Sequence, residues 1–320
     1  MPKTSLNNKR IENWKTDVAQ SMTFYNDWFL SFAPKTYMTE RQEATKEVEE
    51  AFRLTSYLRQ MTSEDVMSKP TLLRVFRMLT APPIARDRLS GLASMAKATI
   101  ETLEEGKQPR ISQEKMTDGI KRVLGVIHQL LDVQLFEWLD SNREPTAAEL
   151  KQAVSVISDR LCGADANPII RNEQEHRQIA ALKYYLDNKG YHEIASKDIG
   201  DFRTMPVGTY CDHLTVMVED NAGSKRTKIP VDMVVRPLKS ESYDLPVLIE
   251  CKSAGDCTNT NKRQKEEAQK MQQLRDTYGN NLYYILLLCG YFDTPFQGYV
   301  ASEGIDWIWE HRMEDFDALF

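Results

Sequence analysis

The stretch Ile229–Lys252, IPVDMVVRPLKSESYDLPVLIECK, decides the fold. It predicts two short strands. In the first, Pro230, Asp232 and Val234 share one face and Val231, Met233 and Val235 the other, because successive side chains of an extended chain point to opposite sides. In the second, Glu250 and Lys252 project together, opposite Val247, Ile249 and Cys251. Charges on otherwise apolar strands are costly unless they are paired or hold a ligand. Asp232, Glu250 and Lys252 are therefore expected to meet at one edge of a sheet.

Outward from this stretch the pattern is mixed. Cys211 to Glu219 alternates as a strand, NAGS from Asn221 makes a turn, Lys228 to Arg236 returns, and Leu245 to Lys252 is the third strand. The polar segment SAGDCTNTNKRQ leads into a helix ending near Tyr278, and LYYILLLC, Leu282 to Cys289, predicts a strand buried on both faces. Upstream, from Ile11 to about Ile157, the periodicity is helical. Trp14, Val18, Met22, Tyr25 and Phe29 form one stripe, Pro34 is expected to end that helix, and TSEDVM from Thr62 carries a capping pattern. A long amphipathic helix is expected over Gln113–Leu139, with His128 in it, and another from Pro145 to Leu161.

CGADANP from Cys162 predicts a break, with Asn167 capping and Pro168 opening the next helix. This divides the chain into a helical region, residues 1–163, and a second domain, residues 164–320. Early in the second domain Glu175 is in helical register with Ile179, Leu182 and Leu186, which places an acid on an apolar face. Glu173 lies elsewhere on the helix, as a solvated first-turn acid.

The chain has 320 residues, 41% hydrophobic and 28% charged, enough for a sizeable core in two domains. It has no run of 18 apolar residues, and MPKTSLNNKRIENWK lacks the apolar segment of a secretory signal, so a cytoplasmic location is expected. Five cysteines without a CxxC pair argue against a disulfide framework or a thiolate zinc site. The net charge of −6 leaves room for local basic patches. One runs from Lys69 to Lys97, with Lys69, Arg74, Arg77, Arg86, Arg88 and Lys97 against Asp87. Another runs from Lys262 to Arg275, with Lys262, Arg263, Lys265, Lys270 and Arg275 against Glu266 and Glu267. Either can be a solvated or buttressing face, or a phosphate-contacting one.

On adjacent strands, Asp232 and Glu250 with oxygens about 4 Å apart would repel by about 4 kcal/mol at an effective dielectric near 20. A divalent cation removes that repulsion. Two carboxylates, joined by the Cys251 backbone carbonyl, suit Mg²⁺, and Lys252 is placed to orient or deprotonate a water. This is a phosphodiester-hydrolysis arrangement. Ser253, Thr258, Asn259, Asn261, Lys262, Arg263, Gln264 and Lys265, which follow directly, have the side chains that hold phosphates or read bases. Tyr291, Phe292, Trp307 and Trp309 are core residues or stacking surfaces, and His311 is a cap or a site residue.

The Asp232…Glu250-Cys251-Lys252 pattern, in this order of helix and strands, resembles the PD-(D/E)xK nuclease superfamily. More closely, the chain resembles the XamI family of type II restriction endonucleases. The resemblance rests on FYNDWFLSFAPK from Phe24, DRLCGADANPIIRNEQEHRQ from Asp159, IECKSAGDCTNTNKRQKEEA from Ile249, LCGYFD from Leu288 and EGIDWIWEHR from Glu303. Pro230-Val231-Asp232 departs by one residue from the superfamily's Pro-Asp.

The resemblance implies an α/β fold, a PD-(D/E)xK restriction-endonuclease-like core with a mixed central sheet flanked by helices, preceded by a large all-helical N-terminal region. It makes Asp232 and Glu250 the metal-binding acids, Lys252 the catalytic lysine and Glu175 an additional acid. It further implies Mg²⁺-dependent, sequence-specific cleavage of double-stranded DNA at a palindrome, 5′-phosphate and 3′-hydroxyl ends, and a prokaryotic cytoplasmic homodimer whose helical region embraces DNA or dimerises. A companion methyltransferase acts on the same site without having to bind the nuclease. The alternatives are a repair or recombination nuclease of the same fold and a non-catalytic DNA-binding module.

Overall fold

The structure is a computed structural model that describes residues 6–219, 226–240, 244–258 and 260–320. The NAGS turn, Asn259 and the side chain of Asn261 lie outside the described residues. Two compact units are present, Met1–Phe32 with Arg171–Phe320, and Ala33–Ile170.

The second unit is helical. It holds the later part of α1 (Trp14–Leu54), α2 (Ser63–Ser68), α3 (Leu72–Met78), α4 (Arg86–Ala93), α5 (Lys97–Glu104), α6 (Gln113–Gln129) and the first part of α7 (Ala147–Asn188). Val48, Phe52, Phe76, Leu79, Ile100, Val123, Ile127 and Ile157 form its core. The capping box at Thr62 is present, with Asp65 as its acid. Much of the first basic patch is paired within the unit: Arg77 and Arg86 converge on the buried Glu104, Arg74 pairs with Asp165 and Glu47, Lys69 with Glu50, and Lys97 with Asp87.

Two expected breaks are absent. Pro34 lies inside α1 and Pro168 inside α7. An interior proline forfeits one hydrogen bond and costs about 3 kcal/mol. Tyr25 and Val48 of α1 and Leu161 and Leu182 of α7 are buried, and burial of this kind supplies most of a helix's stability. The expected boundary at residue 163 therefore falls within α7. The helix expected over Gln113–Leu139 stops at Gln129, because Phe136 and Trp138 reach the core from turns and mimic helical periodicity.

The first unit is a six-stranded sheet in the order β1 (His192–Glu193), β2 (Thr209–Glu219), β3 (Arg226–Arg236), β4 (Val247–Ala254), β5 (Tyr284–Gly290) and β6 (Asp306–Trp309). The β2–β3–β4 steps are antiparallel, and the β1–β2, β4–β5 and β5–β6 steps are parallel. Crossovers α8 (Thr260–Tyr278) and α9 (Thr294–Ser302) connect the parallel strands β4, β5 and β6, as parallel pairing requires. This is the mixed sheet flanked by helices that the sequence predicts. One sheet face carries Leu248, Leu286, Leu288 and Trp307 against Met271, Leu274, Phe296 and Val300. The other carries Ile249, Ile285, Leu287 and Ile308 against Ile179, Leu182 and Leu186 of α7 and Phe316 near the C-terminus. Phe292, Trp307 and Trp309 are fully buried, which excludes them as stacking surfaces. No helix among the described residues is long and apolar enough to cross a membrane.

The N-terminal segment packs on this sheet. The Asp306 carboxylate accepts the N–H groups of Leu6, Asn7 and Asn8 at 2.7–3.0 Å. Arg312 donates to both carboxylate oxygens of the buried Asp17, at 2.7 and 2.9 Å, and to Asn7 Oδ1. Replacing Arg312 by Ala leaves Asp17 buried without its cation, so Arg312→Ala is expected to lower stability by about 2–3 kcal/mol. Urea unfolding of the intact chain checks this.

Candidate active site

β3 and β4 pair only from Met233↔Ile249 to Val235↔Val247, and then separate. Asp232 and Glu250 are the first residues beyond the last pair. At the fork the Asp232 Oδ2 accepts the Cys251 N–H at 2.8 Å, satisfying a backbone donor that the departing strand leaves behind.

The alternation of β3 also changes here. Ile229 and Val231 pack in the same core as Val234 and Leu248, whereas Met233 and Val235 pack on the other face. The strict alternation expected through Val231, Met233 and Val235 is thus broken at Asp232. Its cause lies on the neighbouring strand. Asp212 pairs with Met233 and Leu214 with Val231, and His213 between them has φ +47°, a left-handed conformation that opens the ladder opposite Asp232.

One ligand atom each from Glu175, His213 and Asp232 lies within 4.8 Å of the others. Glu175 and His213 are exposed and Asp232 is half-buried, so the cluster is open to solvent. At that separation the two carboxylates repel by about 1 kcal/mol even in the dielectric of bulk water. Two hard carboxylates and an imidazole form a donor set that fits a divalent cation. His213 is the residue that sequence reasoning missed. Its signal was the spacing of buried residues in β2, where Cys211 is followed by Leu214 instead of by the residue two positions on.

Glu250 and Lys252 project to the α8 side of β4, opposite Ile249 and Cys251, as the alternation predicts. Glu250 is 2% exposed and is held by two lysines: Lys252 Nζ lies 3.3 Å from its Oε2, and Lys270 of α8 contacts its Oε1. Lys252 also lies 3.2 Å from Glu267 Oε1, and the Tyr284 hydroxyl donates to the other oxygen of Glu267. Lys270 donates to the Pro230 carbonyl at 2.6 Å. Burial pulls the Lys270 ammonium down to about 8, with Asp232 opposing. Burial, and then the nearby Asp232, pushes the Cys251 thiol well above its usual range. Glu250 is not a member of the Glu175–His213–Asp232 cluster, and the structure brings Glu250 and Lys252 together with Glu267 and Lys270 instead.

The expected DNA-contacting residues divide. Thr258, Lys262 and Lys265 are exposed, with Lys262 3.6 Å from Glu266, and Gln264 is half-buried. Ser253 lies in β4, and its carbonyl accepts from Arg263. Arg275 donates to the Glu303 and Gly304 carbonyls, so part of the second basic patch also serves the fold. Glu173 pairs with His176, and His311 is half-buried beside Trp309, its pKa lowered by burial and then by Arg312.

Residues 56–309 match the family model described as XamI restriction endonuclease. The chain belongs to the XamI restriction endonuclease family. It is 43% identical over 314 residues to the type II restriction enzyme SalI of Streptomyces albus G, covering 98% of this chain and 99% of that one. It is also 26% identical over 193 residues to the type II restriction enzyme XamI of Xanthomonas campestris pv. amaranthicola, covering 60% and 62% of the two. Family membership makes the chain a site-specific nuclease and decides against the non-catalytic module and the repair nuclease.

The lysine pair on Glu250 has a measurable consequence. Lys270→Met leaves a carboxylate of 2% exposure with Lys252 alone, and is expected to cost about 2–3 kcal/mol. Adding Glu250→Gln should return part of that loss. Chemical denaturation of the two single variants and the double variant measures the coupling.

Proposed function

We propose that the chain is a Mg²⁺-dependent type II restriction endonuclease that hydrolyses both strands of DNA at a short palindromic site, leaving 5′-phosphate and 3′-hydroxyl ends. The observation that carries the reading is the fork between β3 and β4, which sets Asp232, with Glu175, on one side of the paired Glu250 and Lys252.

In this reading Asp232 and Glu175 are the acids that would hold the cation, with the Cys251 carbonyl as a further oxygen, and Glu250, the motif acid that lies outside that cluster, would position Lys252. The bound cation supplies charge neutralisation at the scissile phosphate and an acidified water. Lys252, one-quarter exposed and set between Glu250 and Glu267, is the residue that would orient the attacking water or contact a phosphate oxygen. Ser253, Thr258, Asn259, Asn261, Lys262, Arg263, Gln264 and Lys265 are the proposed DNA contacts, with the amides suited to adenine and the basic residues to guanine or phosphate. A palindrome is matched by a two-fold protein, so a homodimer is proposed, with the helical region embracing the duplex or forming the dimer. A cytoplasmic location beside a methyltransferase that modifies the same site completes the reading.

Digestion of a long phage DNA with Mg²⁺, and again with chelator, followed by end-sequencing, tests it. Discrete fragments sharing one short palindrome are expected with Mg²⁺ and none with chelator. Lys252→Ala and Glu250→Ala are each expected to slow cutting by about 10²–10⁴ while DNA binding persists. Full activity in either variant would remove that residue from the site.

A further inference from the structure

We propose that His213 is a direct ligand of the active-site cation, and that its imidazole makes the site favour a first-row transition divalent cation over Mg²⁺. The inference rests on the metal-dependent nuclease reading and deepens it by naming a ligand that the sequence motif does not contain.

The placement comes from three elements of the sheet unit. Glu175 reaches in from α7, Asp232 from β3 and His213 from β2, and one ligand atom of each falls within 4.8 Å of the others. Such a triangle suits atoms that share one ion. His213 stands where the β2–β3 ladder is interrupted, directly across from Asp232, so the imidazole and the carboxylate project beside one another from adjacent strands. His213 and Glu175 are both exposed, which leaves the remaining coordination positions to water and a phosphate oxygen. The other acid near the fork, Glu250, is already matched by Lys252 and Lys270.

A site of carboxylates and waters alone suits Mg²⁺, which is small, hard and reluctant to lose water. A nitrogen donor changes the ranking. Imidazole binds the later first-row ions well, and affinity at a given nitrogen and oxygen site rises from Mn²⁺ through Co²⁺ to Ni²⁺. One histidine at this position therefore acts on selectivity more than on charge.

The test uses the full chain without DNA. Co²⁺ binding is followed by its visible absorption, which reports the donor atoms, and Mg²⁺ binding by competition against Co²⁺. The wild type is expected to bind Co²⁺ at least about tenfold more tightly than Mg²⁺. His213→Asn keeps a residue that tolerates positive φ, and His213→Ala removes every side-chain donor. Both should weaken Co²⁺ by about tenfold or more, since even residues that only support a ligand are worth about that much, and both should alter the Co²⁺ spectrum. Mg²⁺ affinity should change by less than about threefold, the oxygen donors being unchanged. Asp232→Asn should lose both ions. Thermal unfolding of each variant confirms that the fold is retained.

If both His213 variants keep wild-type Co²⁺ affinity and spectrum while Asp232→Asn loses the ion, His213 is not a ligand and the inference fails, with the metal-dependent reading intact. If Asp232→Asn also binds both ions as the wild type does, the Glu175–His213–Asp232 cluster is not the cation site and the inference fails; if the wild type binds neither ion, the metal-dependent reading fails with it.

Discussion

The contact between the Asp232 carboxylate and the Cys251 N–H organises the sheet end at which the chemistry is proposed. β3 leaves β4 after Met233↔Ile249, which lets Asp232 reach solvent, and a departing strand leaves backbone donors without their ladder partners. Asp232 supplies the missing acceptor with a side-chain oxygen, so the fork stays closed on the protein side while the rest of the carboxylate remains half-exposed. A carboxylate that accepts a backbone N–H is also held in position before any ligand arrives, and so needs little reordering to bind one.

Glu250 follows a different logic. Taking a carboxylate to 2% exposure costs several kcal/mol unless counter-charges sit close and its lone pairs are satisfied. Lys252 and Lys270 supply two cations, and Glu267, itself held by Tyr284, takes the second contact of Lys252. The charges therefore alternate through the cluster, so that no like-charged pair is left facing without an opposite partner. This network also limits the freedom of Lys252, whose ammonium sits between two carboxylates at 3.2 and 3.3 Å.

Much of this was legible in the sequence, because β4 alternates cleanly and β5 is apolar throughout. Val247, Ile249 and Cys251 against Glu250 and Lys252 predicted the two faces of β4, and Leu282 to Cys289 predicted the doubly buried β5. Glu175 was legible from its register with Ile179 and Leu182. His213 was not, because one left-handed residue shifts the alternation without any glycine to mark it. Lys270 read as one more charge on a polar helix, since its partner Glu250 is twenty residues away in sequence. Pro34 and Pro168 misled for a physical reason. The local penalty of an interior proline is fixed, but whether a helix survives it depends on burial along the turns to either side, which local sequence does not report. The attachment of residues 6–32 to the sheet was equally hidden, because it rests on Asp306 and Arg312 at the far end of the chain.

The proposed ligands share a construction that bears on how accurately they can be held. Each is adjacent to residues locked in the core instead of sitting on a mobile loop. Asp232 lies between Val231 and Met233, both fully buried, and His213 is followed by the buried Leu214. Glu175 is three residues before Gln178, one helical turn along the same face. Gln178 is itself fully buried and donates to the Leu287 carbonyl at 3.1 Å and to the Lys252 carbonyl at 3.4 Å. Those two bonds fix the rotation of α7 against β4 and β5, and with it the direction of Glu175. Metal ligands work only within a few tenths of an ångström of their target geometry. A constellation drawn from a helix and two strands meets that tolerance because the packing of each element, and not the ligand itself, sets its position.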